Sequence, residues 1–337
     1  MSFSVPLSIL DLAPIARGQT PGESIAASVQ LAQVAERLGY SRVWYAEHHN
    51  MESIASSATS VLIAHVGAKT SSIRLGSGGV MLPNHSPLVI AEQFGTLAIM
   101  YPGRIDLGLG RAPGSDQKTM YALRRDPSAA DTFPQDVLEL QAYLQGRSRV
   151  PGVDAVPGKG TNVPLYILGS SLFGAQLAAV LGLPYSFASH FAPASLHQAI
   201  SIYREQFKPS EQLDAPYMIV GVNVVAADTT AEAEVAHLAM RRQRAVRLFG
   251  RARGISPESM TDAQADELLA AGAGLRVDEM LTYTAVGTPR EVRSFLDTLV
   301  AETGADELIV AHHAPTTPGR LRSVELLAEA MSTVRSS

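Results

Sequence analysis

A closed barrel of eight parallel strands and eight helices, the (β/α)8 or TIM barrel, with an insertion between strands seven and eight, is the fold class this α/β sequence predicts. Three observations predict it. Short apolar, β-branched runs alternate with longer stretches of helical spacing, and Gly, Pro or Asn often marks the junctions. The runs number eight. With 337 residues, 46% hydrophobic and 18% charged, the chain can bury a core of that size in one domain, and barrels of this length are common as single units.

The elements follow in order. The first strand, VPLSILDLA (5–13), leads to a helix over 21–39, and RVWYAEHH (42–49) to one over 56–69. IRLGSGGVML (73–82) precedes a helix over 87–101, and RIDLGLGRA (104–112) one over 134–145. PLYILGS (164–170) runs into a helix over 171–182, and PYSFASHF (184–191) into one over 194–207. YMIVGVNVVAA (217–227) and a helix over 230–250 come next, and ELIVAHH (307–313) with a helix over 318–333 closes the series. Residues 251–302 break the alternation with extra helical material, ESMTDAQADELLAAG and TPREVRSFLDTLVAETG, read as an insertion within a single domain of 1–337. The doubly wound open sheet is the alternative arrangement of the same pattern.

Composition excludes several classes of partner. A net charge of −5 with no long run of one sign gives neither the basic stripe that nucleic acid needs nor a membrane-surface patch. No apolar run is long enough to span a bilayer, and the N-terminus lacks a charged leader. The chain has no cysteine, hence neither a disulfide nor a thiolate site. A cytoplasmic protein is expected.

In a parallel barrel the chemistry sits at the C-terminal ends of the strands. Asp11, Glu47, His48, His49, Gly78, Gly79, Arg111, Gly169, Ser170, Ser171, His190, His312 and His313 fall there. Neighbouring residues on a strand point to opposite faces, so His48 and His49 are poorly placed to grip one ion; no HxH or HExxH occurs, and no metal is expected. The glycines of GSGG (76–79) and GLGRAPG (108–114) either let a flat ring or a phosphate approach the backbone or simply make turns. The second cluster is not GxGxxG, so a dinucleotide fold is not supported. Arg111 suits a two-pronged grip on phosphate. Ser170 and Ser171 precede a helix whose free N–H groups form an anion site, so capping and phosphate binding are compatible there. Together these residues suggest a phosphate clamp between strands four and five.

The segments WYAEHHN, IASSA, RLGSGGVMLPNHSPLVIAEQFGTL, PGRIDLGLGRAPG, VGTP with TGADELIV, and LRSVELLAEA resemble those of bacterial luciferase-like flavin-dependent monooxygenases, across nearly the whole chain. The resemblance implies a (β/α)8 barrel that binds flavin mononucleotide (FMN) at its mouth. His48 corresponds to the active-site histidine, Gly78 and Gly79 to a non-proline cis peptide beneath the flavin ring, Arg111 to the phosphate-binding arginine, and Gly169 with Ser170 to the phosphate-binding pair. Gly110 stands where luciferase has a reactive cysteine, and His85 lies one place before the luciferase histidine, with Ser86 in its position. The implied reaction takes reduced FMN from a separate flavin reductase and O2, and oxygenates a small organic substrate such as an aldehyde, ketone, amine or polyketide. The alternatives are deazaflavin-dependent hydride transfer and flavin binding without turnover. A homodimer through the helices after strands two and three is also implied; both are apolar on more than one face.

Overall fold

The computed structural model describes residues 5–112, 116–249 and 260–332. Its strands are β1 Leu7–Asp11, β2 Arg42–Tyr45, β3 Arg74–Met81, β4 Ile105–Gly110, β5 Leu165–Gly169, β6 Tyr185–Phe187, β7 Met218–Ala226, β8 Thr284–Gly287 and β9 Glu307–His312. Every pairing among them is parallel. β1 to β7 pair in sequence, β9 joins β7 to β1, and the barrel closes on eight strands. β8 stands outside that ring, paired only with the end of β7.

The helices are α1 Pro21–Arg37, α2 Thr59–Gly67, α3 Pro87–Met100, α4 Gln117–Ala122, α5 Phe133–Gln145, α6 Leu172–Leu181, α7 Leu196–Gln206, α8 Thr230–Phe249, α9 Asp262–Leu268, α10 Gly274–Met280, α11 Pro289–Thr303 and α12 Thr317–Ser332. Local chemistry sets their ends. Thr20 with Glu23 and Thr288 with Glu291 form capping boxes, each with Pro at the next position. α5, α6 and α11 stop at Gly146, Gly182 and Gly304, each left-handed with φ of 73°, 64° and 59°.

Four details differ from the sequence reading. β2 ends at Tyr45 rather than His49, because the Ala46 carbonyl turns to the hydroxyls of Ser56 and Thr59 instead of a neighbouring strand. α2 starts at Thr59, since the Ser56 carbonyl is held by the His48 N–H at 3.0 Å. The insertion contains the strand β8 as well as helices, and the loop after β4 carries the short α4. Pro113 and Gly114 of the second glycine cluster, residue 250 of the helix read over 230–250, and residues 251–259 of the insertion lie outside the described residues.

Alternation along the strands divides the core. Ile9, Val43, Leu75, Leu107, Ile167, Val220 and Val310 belong to the large cluster that includes the surrounding helices. Leu10, Trp44, Tyr166, Ile219 and Ile309 form a separate cluster inside the barrel. The glycines make room for it. A Cβ on Gly76 would lie 2.8 Å from Trp44 Nε1, and one on Gly78 would lie 2.7 Å from Leu10 Cδ1 and 3.0 Å from Trp44 Cβ. The space of the missing side chains at Gly76 and Gly78 is thus shared by Trp44, Asp106 and Leu10.

The N-terminal end of the barrel is closed by ions. Arg42 donates to Asp106 at 2.8 Å, Tyr166 at 2.8 Å and Glu307 at 3.1 Å, and Arg74 also pairs with Asp106. All but Arg74 and Tyr217, whose hydroxyl donates to Glu307 at 2.7 Å, are buried. Among the described residues no helix is long and apolar enough to cross a membrane.

Candidate active site

The mouth is organised around Glu47, which is 2% exposed. Its Oε1 lies 2.8 Å from both His49 Nε2 and His85 Nε2, and its Oε2 accepts the Met81 N–H at 3.1 Å. Burial pushes the carboxyl up, yet these hydrogen bonds, with the charge of His85, outweigh it and hold Glu47 below its ordinary value. An ionised carboxylate only accepts, so both imidazoles carry their proton on Nε2. The hydrogen bond to Glu47 in turn raises the His49 pKa.

His48 is different. It is half-buried, its Nδ1 has no partner, and burial followed by the nearby Arg247 charge lowers its pKa. At neutral pH it is an uncharged base. One loop thus holds two adjacent histidines in opposite states: His49 tied to a carboxylate and inclined to be charged, His48 unpaired and neutral. Glu47, His49 and His85 each offer a ligand atom within 4.8 Å of one another. The sequence reading weighed His48 with His49 for a metal and missed this trio, since His85 is 38 positions from Glu47 and only the fold joins them.

Across the mouth, the Arg111 guanidinium lies 4.3 Å from the ring centroid of Phe173, in the first turn of α6. Its Nε donates to the Ala130 carbonyl at 3.1 Å, and its only carboxylate contact among the described residues is exposed Asp131 at 3.7 Å. Ser171 is the N-cap of α6 but makes no side-chain cap bond, so the helix's first N–H groups stand without it. Arg111, Gly169, Ser170 and Ser171 therefore converge. A guanidinium and a helix N-terminus side by side suit a phosphate.

The Gly78–Gly79 peptide is cis, as the resemblance implies. A Cβ on Gly79 would meet the Gly108 carbonyl at 2.8 Å, so Gly79, like Gly78, is required by packing; only its backbone edge is left to meet a ring. His190 and His312 are buried and held near a pKa of about 3 by burial, with Arg244 and Arg320 adding to it respectively. His313 donates to Asn223 Oδ1 at 2.9 Å, and burial, with the Arg244 charge, holds it well below its ordinary value. Asp11 is paired with Arg320 at 2.9 Å.

Fold and mouth together define a barrel with a guanidinium beside a helix start on one side of its opening and a neutral imidazole on the other. The comparisons narrow this class. The chain belongs to the luciferase-like monooxygenase family, whose model matches residues 5–307, and it is accordingly an oxidoreductase of the monooxygenase type. It is 50% identical over 324 residues to a luciferase-like monooxygenase of Escherichia coli (strain K12), covering 96% of each chain. The crystal structure of apo-MsnO8 superposes with a TM-score of 0.84 at 38% identity, covering 97% of this chain and 98% of that one. Two more distant structures share the fold. One is the oxygenating constituent of 3,6-diketocamphane monooxygenase from Pseudomonas putida in complex with FMN, at TM-score 0.70 and 17% identity over 98% of both chains. The other is an F420-dependent secondary alcohol dehydrogenase, at TM-score 0.70 and 14% identity over 99% of this chain and 100% of that one.

Proposed function

We propose that the chain, acting as one barrel domain, is an FMN-dependent monooxygenase that uses reduced FMN from a separate reductase and O2 to oxygenate a small organic substrate. The observation that carries this reading is the convergence of Arg111 with the uncapped start of α6, which supplies the donors a flavin phosphate needs. Arg111, Gly169, Ser170 and Ser171 would hold that phosphate, and the Gly78 and Gly79 backbone would lie against the ring. Reduced FMN, when bound, supplies the electrons that activate O2.

The protein's own part is proton handling and shelter. His48, neutral and with Nδ1 unclaimed, accepts a proton from the reacting group and returns it. Glu47, His49 and His85 fix the loop that carries it, and we read that trio as a hydrogen-bonded network rather than a metal site. Helices α8 to α10 and β8 stand over the β7 side of the mouth and limit water.

The dimer belongs to the same reading. On α2 and α3, which pack together, Val61 is 66% exposed, Val89 43%, Ile99 53% and Met100 52%, a patch that a second copy would cover.

Cofactor extraction tests the reading. FMN released on denaturation, together with O2 consumption by the protein and chemically reduced FMN, supports it; a deazaflavin in the extract, or tight FMN binding with no O2 consumed, overturns it.

A further inference from the structure

Four arginines follow one another along the second half of α8, and they divide into two pairs. Arg241 is paired with Asp278 at 2.8 Å, and Arg242 with Asp266 at 2.6 Å and Asp262 at 3.0 Å. Arg244 and Arg247 have no carboxylate among the described residues. Among the described residues Arg244 makes neither a hydrogen bond nor an ion pair although it is half-buried, and Arg247, exposed at the rim, donates only to the Ser53 hydroxyl at 3.1 Å. The two are three positions apart and so leave the same face of the helix.

That face looks into the mouth. Ser53 lies in the loop after β2, five residues beyond His48. The Arg247 charge is felt by His48, and the Arg244 charge by His190 and His313, at the ends of β6 and β9. Each of these imidazoles is driven toward its neutral form, and Arg244 itself is lowered to about 10, first by burial and then by Arg247. The buried carboxylates at this end of the barrel are already committed: Asp11 to Arg320, and Glu47 to His49 and His85. His48 and His190 each present a buried Nδ1 without a partner. A half-buried guanidinium that lacks a counterion, beside neutral imidazoles, is an unfavourable arrangement unless a ligand completes it.

We propose that Arg244 and Arg247 bind the oxyanion head, carboxylate or sulfonate, of an anionic organic substrate and hold it beside His48. This rests on reading the mouth as the reaction chamber of the monooxygenase. The site is distinct from the phosphate clamp, because Arg111 and α6 follow β4 and β5, whereas α8 follows β7. Two guanidinium groups suit a planar or tetrahedral oxyanion, and the charge selects against a neutral aldehyde or alkane.

The test uses the full-length protein without cofactor, titrated calorimetrically with hexanoate, hexane-1-sulfonate and hexanamide. One of the two anions should bind at least about tenfold tighter than the neutral amide, and which one does so separates carboxylate from sulfonate. Arg244→Gln should weaken that anion by about ten- to a hundred-fold, and Arg244→Lys by less, since an ammonium keeps charge without the fork. Arg247→Gln, at the exposed rim, gives a second variant should Arg244→Gln fail to fold. Equal binding of anion and amide overturns the proposal, as does undiminished anion binding by the variants. FMN and riboflavin are then compared on Arg244→Gln: an unchanged preference for FMN supports a substrate site, and a lost preference would place the cofactor phosphate there and overturn it. Because the anion titrations contain no flavin, they stand or fall separately from the cofactor assignment.

Discussion

Replacing Glu47 with Gln removes one charge and one acceptor from a carboxylate that holds three groups. The amide can offer its oxygen either to the two imidazoles or to the Met81 N–H; whichever it chooses, its NH2 faces a donor on the other side. Leaving a buried donor unsatisfied costs about 1–3 kcal/mol, and turning two charge-assisted bonds into neutral ones costs about 1 kcal/mol each, so a loss of about 3–5 kcal/mol is expected. The pH dependence is more diagnostic. Glu47 is lowered from 4.5, so its contribution is present above that value and is lost as pH falls through the folded pKa. His49 is raised from 6.5, so its contribution is complete below 6.5 and is lost as pH rises through its folded pKa. The charged pair is therefore fully formed between 4.5 and 6.5. Urea unfolding of both proteins at about pH 5.5 and about pH 9 should show a larger gap at the lower pH. An equal gap at both would mean that His49 is not ion-paired with Glu47, and no gap at all would refute the network.

Arg42→Met should cost about 3–5 kcal/mol in the same assay, because it strands Glu307 and part of Asp106 inside the barrel; a loss under about 1 kcal/mol would show that these ions are already hydrated. His48→Ala should lower oxygenation per bound FMN by about a hundred- to ten-thousand-fold with little change in FMN affinity, and the acid limb of kcat/KM in the native protein should fall below 6.5 and move upward in Arg247→Gln. Equal activity loss in His49→Ala would reverse the assignment of the two histidines. Val61→Glu combined with Ile99→Glu should turn a dimer into a monomer by sedimentation, and a native protein that sediments as a monomer at micromolar concentration removes the dimer from the proposal.

The barrel was legible because it rests on local signals, apolar runs and their punctuation, and those survive in the strand and helix order found. Arg111 and Ser170 were legible for the same reason, each sitting where a strand stops. The end of β2 was not, because it depends on hydroxyls of Ser56 and Thr59 ten and thirteen residues away from Ala46. Nor was the bond from His85 to Glu47, which loop geometry alone creates. GSGG was visible as a cluster, but the demand on it comes from Asp106, Leu10, Trp44 and the Gly108 carbonyl on other strands, contacts no spacing rule encodes. Arg244 and Arg247 went unmarked because a run such as RRQRAVR reads as a solvated helical face, and only the pairing of Arg241 and Arg242 shows which half is satisfied.

The two ends of the barrel treat charge in opposite ways, and the contrast bears on how the chain divides stability from chemistry. At the N-terminal end Arg42, Arg74, Asp106 and Glu307 are mutually paired, and Trp44 and Tyr166 close over them with edge-on rings 4.9 Å apart. Each of those four charges has an opposite charge within the group. At the mouth, among the described residues, His48 and His190 keep an unpartnered nitrogen, and Arg244 lacks a counterion. Groups of that kind weaken the empty protein, since each is partly withdrawn from water without recompense. Under the proposed reading, a bound substrate offsets that cost. The same logic separates the histidines of the EHH segment: the one that Glu47 satisfies supports the loop, and the one left unsatisfied is free to exchange a proton.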